Sequence, residues 1–183
     1  MDIRTRRHPI AAIAPTVAAA LALALGAPTP VGAASASVNG PSSGDVRVCT
    51  GPDLTASKGA LEGAAGSRFL TVRVTNASET ACQTMGYTAY RFRNAAGPIG
   101  HESTPNTVTD GTEGVPVVIS AGATVKSVLS WTDPGPTVPS QCHAKATTAF
   151  RLKIHDVDRY YRLPLKVDVC TTLKYRPHGT RLQ

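Results

Sequence analysis

Arg68-Phe69-Leu70-Thr71-Val72-Arg73-Val74-Thr75, residues 68–75, decides the fold class, because apolar and polar side chains alternate along it with a period of two. Successive side chains of a strand point to opposite faces, so Leu70, Val72 and Val74 share one face and Phe69, Thr71 and Arg73 the other. The same period recurs outward from this stretch. Near residues 85–94, Tyr90 and Phe92 alternate with Arg91 and Arg93 before a turn at Asn94-Ala95-Ala96-Gly97. Val115, Val117 and Ile119 lead to a turn at Gly122, after which Val125, Ser127, Leu129 and Trp131 lie on one face of a long strand. Phe150, Leu152 and Ile154 mark another strand, and Leu163, Leu165, Val167 and Val169 the last strong one, with Leu173 and Tyr175 as a short tail strand. Pro164 removes a ladder hydrogen bond and so belongs at a sheet edge or a bulge. With no amphipathic helix and no internal repeat after the N-terminal stretch, the expected fold is all-β. It is an immunoglobulin-like two-sheet β-sandwich of about seven to eight strands, because two sheets bury one face of every strand.

The N-terminus has a different character. Arg4, Arg6 and Arg7 precede an Ala- and Leu-rich run from Ile10 to Leu25, and small residues follow to Ala34-Ser35-Ala36. A charged region, an apolar region and an A-x-A site make a secretory signal peptide over residues 1–36, exported by the general or the twin-arginine route. The run is broken by Pro15 and is shorter than the roughly 20 apolar residues a bilayer requires, so no transmembrane segment is expected. Residues 37–47 read as a flexible leader, residues 48–176 as one domain and residues 177–183 as a tail.

The formal charge of +7 favours anionic partners and says little about the fold. Four cysteines, Cys49, Cys82, Cys142 and Cys170, all lie beyond the signal segment; an even count in an exported chain reads as two disulfides. No two are spaced as the close pairs a zinc site uses.

Cys49, Asp53-Leu54, Asn76-Ala77-Ser78 shortly before Cys82, Gly86-Tyr87, Gly97, Gly122, Trp131, Cys142 and Val169-Cys170 follow one another in an order that resembles the actinobacterial secreted family called domain of unknown function 4232. The likeness covers roughly residues 47–176. It departs from the family at Thr88 and Ala121, where proline is frequent. What the resemblance implies is an exported or lipid-anchored protein of immunoglobulin-like fold; it carries no functional residues across. Cys49 precedes the first strand and Cys170 follows the last long one, so a Cys49–Cys170 bond would clamp the domain's ends and leave Cys82 to pair with Cys142. That pairing also agrees with the resemblance.

Catalytic patterns are absent beyond the expected leader. Residues 48–183 hold no G-x-S-x-G and no S-x-x-K, and His101-Glu102 opens an H-E-x-x-H pattern that fails at Pro105. No catalytic residue and no cofactor are therefore expected. His155-Asp156-Val157-Asp158 offers ligand chemistry for a divalent cation but reads better as a polar hairpin turn. His101 and His143 read as loop residues, and one methionine, Met85, after the signal segment is too few for a copper carrier. Asn76-Ala77-Ser78 matches a glycosylation sequon and is expected to close a strand with an Asx turn. Trp131 would be a sugar platform if exposed, but its phase with Leu129 assigns it to the core. The long polar stretch from Pro98 to Gly114 is expected to be a mobile loop.

The surface with the strongest claim is basic. If Tyr90, Phe92, Phe150, Leu152, Leu163 and Leu165 point inward, then Arg91, Arg93, Arg151, Lys153, Arg162 and Lys166 point outward from strands that are neighbours in such a sandwich. This is a candidate anion-binding face, although a solvated polar face has the same pattern. Few aromatics interleave with these cations, which argues against nucleic acid. The expected function is that of a secreted, non-enzymatic binding module whose partners are anionic cell-envelope polymers. The alternatives are a hydrolase with a cryptic site and a secreted small-ligand carrier or inhibitor.

Overall fold

The stretches around Leu70, Tyr90, Val117, Val125 and Phe150 form strands in the computed structural model of the chain, which describes residues 46–105, 114–135 and 139–183, whereas the run from Leu163 to Val169 is divided between two strands. The expected signal peptide, residues 37–45 of the expected leader and residues 106–113 of the loop lie outside the described residues. In chain order the strands are β1 (Leu54–Ala64), β2 (Ser67–Asn76), β3 (Cys82–Thr84), β4 (Thr88–Asn94), β5 (Gly97–Pro98), β6 (Thr104–Pro105), β7 (Val117–Ile119), β8 (Thr124–Thr132), β9 (Lys145–Ala146), β10 (Ala149–Ile154), β11 (Tyr160–Pro164), β12 (Asp168–Val169) and β13 (His178–Gly179). One sheet has the order β1-β2-β8-β13-β6 and a second β11-β10-β4-β5, with two-stranded ribbons β12-β9 and β3-β7. The all-β sandwich is thus the fold.

The core lies between the two main sheets. Leu70, Val72 and Val74 of β2 and Leu129 and Trp131 of β8 face Tyr90 and Phe92 of β4 and Phe150, Leu152 and Ile154 of β10, all buried. Phe92 meets Trp131 edge-on across the sheets, with ring centroids 5.4 Å apart. Pro164 ends β11, the edge of its sheet, as the missing donor requires. Asn76, fully buried, accepts from the Ser78 amide through Oδ1 at 3.0 Å and donates through Nδ2 to the carbonyls of Thr80 and Ile119. The sequon is therefore an Asx turn that ties β2 to its surroundings.

The cysteine pairing differs from the expectation: the bonds are Cys49–Cys82 and Cys142–Cys170. The residues before Cys49 do not stand outside the sandwich. The Cys49 amide donates to the Gln83 carbonyl and the Gln83 amide to the Arg47 carbonyl, so this segment runs alongside β3 and brings Cys49 to 4.9 Å, Cα to Cα, from Cys82. Val46, also read as leader, is buried, and Arg47 forks onto both carboxylate oxygens of Asp53 at 2.6 and 2.9 Å. At the other bond, β9 pairs with β12 and the Thr171 amide donates to the Cys142 carbonyl, which sets Cys142 and Cys170 4.6 Å apart. Each disulfide therefore staples two segments that already share hydrogen bonds.

The ends of the domain depart from the sequence reading in other ways. Leu173–Tyr175 is a 3-10 turn and not a strand, with Leu173 at 61% exposure; the chain must turn here to re-enter the larger sheet at β13. Residues 177–183, read as a tail, lie along β8: the Thr180 amide donates to Val128, Lys126 and Gln183 exchange backbone bonds, and Leu182 is buried. Gly179 passes so close to Tyr90 that a Cβ would stand 2.7 Å from its ring. Strand β1 has no apolar alternation, because as the outer strand of its sheet it buries little beyond Leu54 and Ala56. Its hairpin to β2 turns at Ala65 and Gly66, both at positive φ, the geometry of a two-residue turn matched to strand twist.

Candidate anion-binding face

Strands β4, β10 and β11 are neighbours, and their inward positions pair in rungs such as Phe92–Phe150–Leu163 and Tyr90–Leu152–Tyr161. Strand alternation turns the intervening residues outward. Arg91 lies directly opposite Arg151, and Arg151 directly opposite Arg162, so three guanidinium side chains form one outward rung. The next rung is Ala89–Lys153–Tyr160, and the one on the other side is Arg93–Ala149–Pro164. Five of the six cations singled out in the sequence thus share one sheet face. Lys166 does not join the rungs; it lies past the end of β11, beside Thr147 and Asp168 in a separate shallow depression.

Like charges directly opposite one another on a sheet destabilise it, by up to about 1 kcal/mol a pair. Among the described residues the ion pairs are Arg47–Asp53 and Arg68–Asp133, neither of them on this face. Glu102 lies beside Arg91, Arg151 and Lys153 without forming an ion pair. The stems of the arginines are packed: Nε of Arg91 and Nε of Arg151 are buried without a hydrogen-bond partner. Arg91 also sends Nη2 towards the Gly100 carbonyl at 3.4 Å.

Tyr160 is the residue the sequence reading did not find. It is 52% exposed, and Arg151 Cζ lies 4.5 Å and Lys153 Nζ 5.4 Å from its ring centroid. An aromatic ring is therefore interleaved with the cations, held by cation–π contact. The signal for it was faint. Tyr160 and Tyr161 are adjacent, and only the pairing register shows that Tyr161 takes the inner face and Tyr160 the outer.

Other candidates resolve into structural roles. Residues 155–159 form the loop between β10 and β11; Asp156 accepts from the Thr84 hydroxyl and from the Met85 amide at 2.8 Å, and Asp158 accepts from the Gly51 amide at 3.2 Å. Both carboxylates are committed to holding the loop against neighbouring segments. Trp131 is 4% exposed and belongs to the core. His143 is an exposed loop residue at φ 47°. Within the loop after Pro98, the Ser103 hydroxyl accepts from the Tyr90 amide at 2.8 Å and Thr104 enters β6, so its first part is tied to the domain.

The geometry defines a class: a two-disulfide β-sandwich with a rung of three arginines on the outer face of one sheet. The family described as Domain of unknown function (DUF4232) matches residues 49–178, and the chain belongs to that family. No curated protein and no solved structure matches the chain. The two disulfides fit an oxidising environment. Among the described residues no helix is long and apolar enough to cross a membrane.

Proposed function

We propose that the protein is an exported, non-enzymatic binding module that holds an anionic polymer of the cell envelope on the outer face of β4, β10 and β11. The observation that carries this reading is the rung Arg91–Arg151–Arg162. Three like charges are set side by side with no ion pair among the described residues to offset them, an arrangement that costs stability until an anion neutralises it. A row of forked donors running across the strands suits a chain of phosphates or carboxylates better than a single ion. The bonds by which Asp156 and Asp158 hold their loop to Thr84, Met85 and Gly51 leave them little scope as catalytic or metal-binding groups. Export is supported by the two disulfides together with the signal-like N-terminal sequence.

Retention on isolated cell-wall material tests the reading. The protein is expected to bind native walls at low salt and to elute as the ionic strength rises towards about 1 M, where the screening length falls to about 3 Å. Walls stripped of their anionic polymers are expected to retain little. Equal retention on native and stripped walls would overturn the proposal.

A further inference from the structure

The outer face of the larger sheet carries a second, chemically different feature. Phe69, Ser130, His178 and Thr104 stand opposite one another across β2, β8, β13 and β6. The turn at Leu173–Tyr175 and the residue after it flank this rung and leave a cleft of about 230 Å³ with a shallow outer lobe of about 410 Å³ opening beside it, both bounded by Lys174, Arg176 and His178. The smaller lobe has aromatic walls in Phe69, 37% exposed, and the half-buried Tyr175, with the hydroxyls of Ser67, Ser130 and Thr132 among its lining groups. Among the described residues, no carboxylate lines either lobe. Nε of Arg176 is buried and has no hydrogen-bond partner, and His178 is fixed by a 2.8 Å bond between Nδ1 and the Thr104 hydroxyl.

These groups select a ligand by elimination. A bare anion would use the cations and make no contact that needs the exposed ring of Phe69. An apolar ligand would bury the hydroxyls and the Arg176 guanidinium without partners, at a cost of about 1–3 kcal/mol each. A pyranose has an apolar C–H face for an aromatic ring and a rim of hydroxyls for serine and threonine, and a carboxylate on that ring answers the uncompensated charge. We propose that this cleft binds an acidic pyranose, a sugar ring bearing a carboxylate. The site lies on the other sheet from the arginine rung and stands whether or not that rung binds a polymer.

Titration with D-glucuronate, followed by backbone amide chemical shifts, is the test. Saturable shifts are expected at residues 67–69, 130–132, 173–176 and 178. Phe69→Ala and, separately, Lys174→Gln are each expected to weaken binding about tenfold, the loss of one stacking or charged contact. Glucose, which lacks the carboxylate, and acetate, which lacks the ring, are each expected to bind at least about tenfold more weakly than glucuronate. Equal affinity for acetate and glucuronate would reduce the cleft to an ion site and overturn the proposal. So would shifts confined to the Arg91, Arg151 and Arg162 face, or no saturable shift at all.

Discussion

The Tyr90 hydroxyl sits in the core, where it donates to Ser127 Oγ at 2.8 Å; Ser127 Oγ in turn donates to the Thr180 carbonyl at 2.6 Å, and the Thr88 hydroxyl donates to the same carbonyl at 2.8 Å. One buried chain of hydroxyls therefore joins the two sheets to the C-terminal segment. Burial, opposed by the hydrogen bonds to Ser127 and Thr88, pushes the Tyr90 phenol up to about 12. In the unfolded chain a tyrosine ionises near 10, so the neutral form that the fold requires is free of penalty below about pH 10. Stability is lost as the pH rises from there through about 12, because the unfolded chain releases the proton first. Tyr90→Phe is expected to cost about 1 kcal/mol at neutral pH and to flatten this alkaline loss, as read by thermal unfolding across the alkaline range. An unchanged alkaline profile in the variant would show that another group controls it.

At the scale of elements, the disulfides mark where the sequence was legible and where it was not. Period-two alternation located β2, β4, β8 and β10, because each buries one face and the burial is written in the side chains. It missed β1, whose Gly- and Ala-rich residues bury almost nothing, and β13, whose two residues enter the sheet through backbone bonds that the side-chain pattern does not record. The cysteine pairing failed for the same reason. It depended on the parallel contact of residues 47–49 with β3, which no periodicity shows. Of the candidate face, the arginines were legible by alternation, whereas Tyr160 and the displacement of Lys166 depended on register. Because the bonds close separations of 33 and 28 residues, loss of either is expected to destabilise the domain by about 3–4 kcal/mol. The paired variants Cys49→Ala/Cys82→Ala and Cys142→Ala/Cys170→Ala, compared by denaturant unfolding, measure this. In each of them the other disulfide should still form; a free Cys142 or Cys170 thiol in the first variant would contradict the pairing.

For the whole molecule, net positive charge gives any polyanion a weak attraction, and a specific site on β4, β10 and β11 requires the arginine rung to supply more than that. Arg151 is the middle member, flanked by Arg91 and Arg162, whereas Lys126 is an exposed cation of the other sheet that pairs with Arg73. Substituting either one removes the same charge, so their comparison separates a local site from a global field. The direct measurement is the affinity for a purified anionic wall polymer as a function of salt, made for the native protein, Arg151→Gln and Lys126→Gln. Arg151→Gln is expected to weaken binding about tenfold at low salt and to lower the slope of log affinity against log salt by about one, while Lys126→Gln changes both little. Equal effects of the two substitutions would contradict it, because binding would then follow total charge and not the rung on β4, β10 and β11.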